Sequence, residues 1–179
     1  MIVCVFDTET TGLIDNHSVK LDRQPEVIEF AAAWVDWEDL TTLVIQYSTL
    51  IKPSKELPDK IKEITHLNDA DLAGCPSFAA VSDQVASLLT EADAVCGHNL
   101  SYDMEMIDLE FERLGKRLTW PQQRICTVEQ TIHIKGDRIS LGDLHLLLTG
   151  ALHVDAHRAM PDVMATLRCL TEIKARDWL

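Results

Sequence analysis

Basic charge is what this chain is short of. Its 179 residues carry 16 Lys and Arg against 29 Asp and Glu, a formal net charge of −13. A protein that coats long nucleic acids relies on many cation–phosphate contacts across a broad basic face, and this balance argues against that mode. A small, local phosphate site built on metal ions stays open, beside the plainer reading that the acidity only maintains solubility. Paired cysteines are missing as well. The five, Cys4, Cys75, Cys96, Cys126 and Cys169, are odd in number and contain no CxxC. Several lie in apolar runs such as "IVCVF", where a free thiol behaves as a small hydrophobe, so a reducing cytoplasm is the expected compartment. No apolar run approaches the roughly 20 residues that cross a bilayer, and Asp7 interrupts the apolar start before it could serve as a leader. No membrane association is expected. Internal repeats and low-complexity segments are absent too, which excludes solenoid and tail-like architectures.

What is present suits one globular domain over residues 1–179, since 46% of the residues are hydrophobic. "MIVCVF" (1–6) is short and β-branched and reads as a buried central strand; 14–25 is polar, carries Pro25 and reads as a loop. Residues 27–37 and 42–52 are two further strands, antiparallel neighbours by their closeness in sequence, and 56–67 a short helix and turn. Phe78, Val81, Val85 and Leu88 fall at helical spacing behind Ser77 as N-cap. A strand and turn at 93–99 lead into a helix at 100–115, striped by Leu100, Met104, Ile107, Phe111 and Leu114 and ended by Gly115. Residues 124–130 read as a strand, and 140–150 as a helix with Ser140 and Asp143 in N-cap and N3 positions. A last helix begins between Asp155 and Pro161 and runs towards Arg176, striped by Val163, Leu167, Leu170 and Ile173. The order predicts an α/β protein with a sheet of about five strands covered by helices.

The stretch "DTETTGL" concentrates the chemistry. Residues i and i+2 of a strand share a face, so Asp7 and Glu9 project together from a strand end, where α/β proteins gather their sites. Two neighbouring carboxylates repel unless one keeps its proton or a hard divalent cation joins them. A solvated loop mouth, with Glu9 turned away, is the alternative. Asp103, in the first turn of the 100–115 helix, and Asp162, early in the last one, are candidate further ligands. Each is also accounted for by the helix dipole or by solvation alone. His157 lies five residues before Asp162 and is a candidate proton acceptor. Spacing does not single it out. Seven His and seventeen Asp produce four such pairs, His17/Asp22, His66/Asp71, His98/Asp103 and His157/Asp162, where chance predicts roughly two-thirds of one.

Order along the chain does discriminate. "DTETTGL", then "HNLSYD", then "HRAMPD" together resemble the DEDDh family of 3′–5′ exonucleases, which includes proofreading subunits of bacterial replicative polymerases. The resemblance covers nearly the whole chain: "PEVIEFAAAWV" is similar to the family's second strand, "ITHLNDADL" to its "IHGIT"-type segment and "CPSFAAV" to the helix start after it. It implies an RNase H-like fold whose mixed sheet has its first three strands antiparallel. It implies metal ligation by Asp7, Glu9, Asp103 and Asp162, a general base at His157, and no role for His17 or for His98 as base. Thr10, Leu13, His66, Asn99 and Tyr102 are implied near the terminal nucleotide; Tyr102 is either a base-stacking ring or a core residue, and His66 either a stacking ring or a surface turn histidine. Three departures stand out: a longer 14–25 loop, Leu67 where Gly is usual, and Pro161 directly before Asp162.

The activity implied is hydrolysis at the 3′ end of nucleic acid, single-stranded DNA ahead of RNA, releasing nucleoside 5′-monophosphates with two Mg²⁺ or Mn²⁺ ions about 3.5–4 Å apart. A short-RNA exonuclease of the same family is one rival; a non-catalytic module on a polymerase or repair complex is another. No obvious C-terminal tail follows for docking a polymerase, so a free-standing enzyme is expected ahead of a polymerase-bound one.

Overall fold

The computed structural model describes residues 1–14 and 20–179. The apolar runs pair into a five-stranded sheet in the order β3-β2-β1-β4-β5. Its strands are β1 (Ile2–Thr10), β2 (Val27–Asp36), β3 (Leu43–Leu50), β4 (Ala94–Gly97) and β5 (Gln123–Cys126). The first three are antiparallel, and β4 and β5 run parallel to β1 and to each other. The helices are α1 (Asp59–Thr65), α2 (Asp69–Leu72), α3 (Phe78–Thr90), α4 (Leu100–Arg113), α5 (Thr127–Lys135), α6 (Leu141–Thr149) and α7 (Ala159–Ala175).

Strand alternation sorts the core into two layers. Cys4 and Phe6 face α3 and α4, packing with Val85, Leu88, Met104, Ile107 and Phe111. Val3 and Val5 face the other way and pack with Val163, Leu167 and Leu170 of α7. The central strand is thus covered on both faces, as a near-continuous apolar run requires. At the end of β4 the chain turns into α4 so closely that a Cβ on Gly97 would lie 3.1 Å from Leu100 Cδ1 and 3.4 Å from the Phe6 carbonyl oxygen. Asn99 completes this turn with φ +68°. The tight turn brings the start of α4 beside the end of β1.

Several boundaries differ from the sequence reading. β1 does not stop at Phe6 but runs through both acids to Thr10, where its register against β2 shifts so that Glu9 opposes Glu29 and Thr10 opposes Val27. Such a bulge re-aims side chains at a sheet rim. The strand expected over 124–130 ends at Cys126, and Thr127–Lys135 is helical. Its Val, Thr and Ile content is strand-like, but Thr127, Val128 and Thr131 form a buried helical stripe. Tertiary packing overrides propensity here. The 56–67 segment holds the expected short helix, α1, and its turn at His66; α2 (Asp69–Leu72) follows it as a further helix not expected from sequence, and a short 3₁₀ turn, Leu21–Arg23, stands within the expected 14–25 loop. Ser77 takes the N-cap position without a side-chain capping bond, whereas Ser140 Oγ accepts from the Asp143 N–H at 3.2 Å. Pro161 does not delay α7. It occupies the first turn, where N–H groups lack helical partners, and the Asp162 N–H still donates to the Arg158 carbonyl at 3.0 Å. Leu67 is buried with Ile28, Leu57 and Leu72, so the departure from Gly is absorbed as a satellite core. Among the described residues, no helix is long and apolar enough to cross a membrane.

Candidate active site

Asp7 and Glu9 continue the face of β1 that packs on α7. Asp162 lies in the first turn of α7, on the same side. Asp103 arrives from the opposite layer, in the first turn of α4. It is tied to the strand between the two acids: its Oδ1 accepts from the Thr8 N–H at 3.0 Å and the Thr8 hydroxyl at 2.6 Å. Two helices on opposite faces therefore meet at the end of one strand, and four carboxylates converge there. The ring of His157 joins them, with ligand atoms of Glu9, His157 and Asp162 all within 4.8 Å of one another. His157 is exposed at the rim and adopts φ +65°.

This crowding is electrostatically costly. Burial, then the neighbouring Asp103, Asp162, Glu9 and Glu29, holds the Asp7 carboxyl well above the usual carboxylate range. Glu9 is pushed up to about 8 by burial and by Asp162, Glu29 and Asp103, with Arg158 acting against them. Burial raises Asp103 to about 7 despite the Thr8 hydrogen bonds, and raises Asp162 despite its bond to His153. Mutually repelling, half-dehydrated carboxylates of this kind are a hard-oxygen donor set, and a divalent cation removes the repulsion. The residues fit such an ion.

Two groups at the site escaped the sequence reading. Glu29, directly across the sheet from Glu9, is buried and shares its face. It is neutralised by Arg158, whose Nε and Nη2 donate to its two carboxylate oxygens at 2.8 and 3.2 Å. The only local signal was an acid inside the apolar run "VIEFAAAWV". The second is His153, whose Nε2 donates to Asp162 Oδ1; no spacing singled it out.

The remaining expected residues separate. The Thr10 and Tyr102 hydroxyls lie 2.8 Å apart, and each is 2.8 Å from the Gly12 carbonyl. The Tyr102 hydroxyl thus pins the turn that presents Leu13, which is 84% exposed. Asn99 Oδ1 accepts from the Arg138 guanidinium beside the start of α4. His66 is exposed at the C-terminus of α1 with φ +59°. His98 is locked: its Nε2–H donates to the Ile139 carbonyl at 3.0 Å and its Nδ1 accepts from Thr127 at 2.8 Å. Burial lowers it to about 4, so it stays neutral with both nitrogens occupied. His17 lies outside the described residues.

A sheet of this order, with helices on both faces, is that of the RNase H-like fold. Known proteins carry the assignment further. The family described as Exonuclease, of RNase T type, matches residues 4–170. The PolC-type DNA polymerase III of Staphylococcus saprophyticus is 33% identical over 112 residues, which is 62% of this chain and 7% of that protein. The DNA polymerase III subunit epsilon of Treponema pallidum is 29% identical over 112 residues, 63% of this chain and 47% of that protein. The chain thus spans less than half the length of these curated relatives. Exonuclease X in complex with 5′ overhanging duplex DNA shares the fold with a TM-score of 0.70 at 20% identity, over 99% of this chain and 93% of that one. Exonuclease I of E. coli in complex with a dT13 oligonucleotide shares it with a TM-score of 0.77 at 19% identity, over 98% of this chain and 41% of that one. The chain belongs to the RNase T-type exonuclease family, among the DnaQ-like 3′–5′ exonucleases.

Proposed function

We propose that residues 1–179 act as one exonuclease domain that removes nucleotides from the 3′ end of single-stranded DNA and releases nucleoside 5′-monophosphates. Asp7, Glu9, Asp103 and Asp162 would hold two Mg²⁺ or Mn²⁺ ions, which would supply Lewis acidity toward a water and a counter-charge for the scissile phosphate. His157 accepts the proton of the attacking water. Thr10, Leu13, His66, Asn99 and Tyr102 line the approach of the terminal nucleotide, with Leu13 as an exposed apolar edge against its base. The observation that carries this reading is the convergence of four acids from three separate elements, with the His157 ring within 4.8 Å of the Glu9 and Asp162 ligand atoms.

A few terminal phosphates suffice for such a site, which fits a net charge of −13. DNA is favoured over RNA because the fold's solved neighbours include exonucleases bound to DNA. The polymerase III relatives support a replicative or repair polymerase as partner, against the free-standing enzyme expected from sequence. Five free thiols, four of them buried, support a reducing cytoplasmic setting.

The test is a panel of 5′-labelled oligonucleotides in Mg²⁺ or Mn²⁺: DNA with a free 3′-OH, the same strand with a blocked 3′ end, and its RNA counterpart. Stepwise shortening of the free DNA and an inert blocked strand are expected. Undiminished cutting of the blocked strand would mean an endonuclease, faster loss of RNA an exoribonuclease, and no cutting at all a non-catalytic module.

A further inference from the structure

Residues 151–157 carry a local inversion of the hydrophobic rule. Leu152 and Val154 are 74% and 70% exposed. His153, between them, has a side chain only 6% exposed. A segment that turns its imidazole inward and leaves two aliphatic side chains in water gains something specific from the imidazole. The partners show what. His153 Nε2–H donates to Asp162 Oδ1, while the other oxygen of the same carboxylate, Oδ2, accepts from the His157 N–H at 3.2 Å. Behind it, the His145 ring lies 5.9 Å away, centroid to centroid. His145 is itself buried and held through Nδ1–H, which donates to the Ala151 carbonyl at 2.9 Å. The segment is thus anchored at Ala151 by one histidine and at Asp162 by the next.

We infer that His153 is a positioning residue for Asp162. Each carboxylate oxygen has two lone pairs. One donor on each oxygen fixes the plane of the carboxylate and leaves a lone pair on each free for a cation. Asp103 has the equivalent hold from Thr8, supplied by β1 itself. Asp162 stands at a helix start after a long connection, and its hold has to come from that connection. The same bond sets the path of the segment ending at His157, so one imidazole aligns a ligand and the base together. Outer partners of this kind tune affinity for a metal without touching it.

The inference rests on the reading of Asp162 as a metal ligand, and the experiment separates the two. Mn²⁺ binding is measured by titration calorimetry and by electron paramagnetic resonance of free Mn²⁺ on the full chain and on His153→Leu, His153→Gln and Asp162→Asn, with thermal midpoints recorded for each. His153→Leu, close in volume but without a donor, should weaken Mn²⁺ binding by roughly 10- to 100-fold, with turnover recovering at high Mn²⁺. His153→Gln, whose amide N–H can stand where Nε2–H stood, should recover most of that affinity. A purely structural role predicts instead that Leu is tolerated at least as well as Gln. Should His153→Leu not fold, His153→Asn, polar but too short to reach Asp162, takes its place with the same expected loss. Wild-type Mn²⁺ affinity in the donor-less variant alongside a loss in Asp162→Asn would overturn this inference and leave the ligand reading standing. Wild-type affinity in Asp162→Asn would overturn both.

Discussion

In a chelating buffer, the folded protein should lose stability steadily as pH rises from about 4.5 to 8. Glu9 titrates near 8 in the fold, against an ordinary value of 4.5, because burial and the charges of Asp162, Glu29 and Asp103 disfavour its ionised form. A group whose pKa is raised by folding binds its proton more tightly in the folded state. The associated stability is fully present below the unfolded value and is lost as pH climbs through the folded one. At about 1.4 kcal/mol per pKa unit, the Glu9 shift corresponds to about 4–5 kcal/mol. Asp7 and Asp103 shift in the same direction through the same mutual repulsion, so their contributions overlap with that of Glu9. For a chain of this size each kcal/mol moves the melting midpoint by about 2–4 °C, so a fall of about 10 °C is expected in chelator. Millimolar Mg²⁺ should flatten the curve, since the cation binds the deprotonated acids and only in the folded state. The assay is thermal unfolding by circular dichroism across this pH range, with chelator and with Mg²⁺. Glu9→Gln separates the site from the general repulsion of an acidic chain by flattening the chelator curve alone. Parallel curves with chelator and Mg²⁺, or an unchanged slope in Glu9→Gln, would refute the reasoning.

Three further outcomes follow from the same geometry. Asp7→Asn should abolish hydrolysis while raising the melting midpoint in chelator, because one charge leaves a repelling cluster; retained activity in Mg²⁺ would count against metal ligation by Asp7. His157→Ala should lower kcat by roughly 10²–10⁴ with little change in oligonucleotide binding; an effect confined to KM would argue against a base. Arg158→Met leaves Glu29 buried without its counter-charge and should cost about 2–4 kcal/mol in unfolding experiments, the outer face of the guanidinium being solvated. Adding Glu29→Gln should restore most of that loss, and a double variant no more stable than the single one would exclude the pairing as its cause.

How far the site could be read in advance depended on distance along the chain. Asp7 and Glu9 share a face because strands repeat every two residues, and that is visible in five letters of sequence. Asp103 and Asp162 could be nominated because each falls in a helical first turn beside core positions. Most of the helix and strand order followed from hydrophobic period, whereas the mixed character of the sheet was implied only by the family resemblance. The errors fell where local preference and packing disagree. Thr127, Val128 and Thr131 have strand-forming side chains, yet they cover a helical stripe once α5 docks. β1 extends through its acids because β2 pairs with it as far as Thr10.

By itself, the sequence determined what is encoded within a turn or two: the alternating strands, the apolar helical stripes, the polar break at Pro25, and the order of the three acidic motifs. Only the tertiary structure decided who meets whom. Glu29 became part of the site by register across a sheet, Arg158 reached it from 129 residues away, and His153 turned inward on Asp162 with Leu152 and Val154 left outside. His98 was removed as a base by two hydrogen bonds from distant segments. Periodicity and propensity act through a residue's immediate neighbours along the chain. Burial, charge repulsion and hydrogen-bond partnership depend on the neighbours that folding supplies.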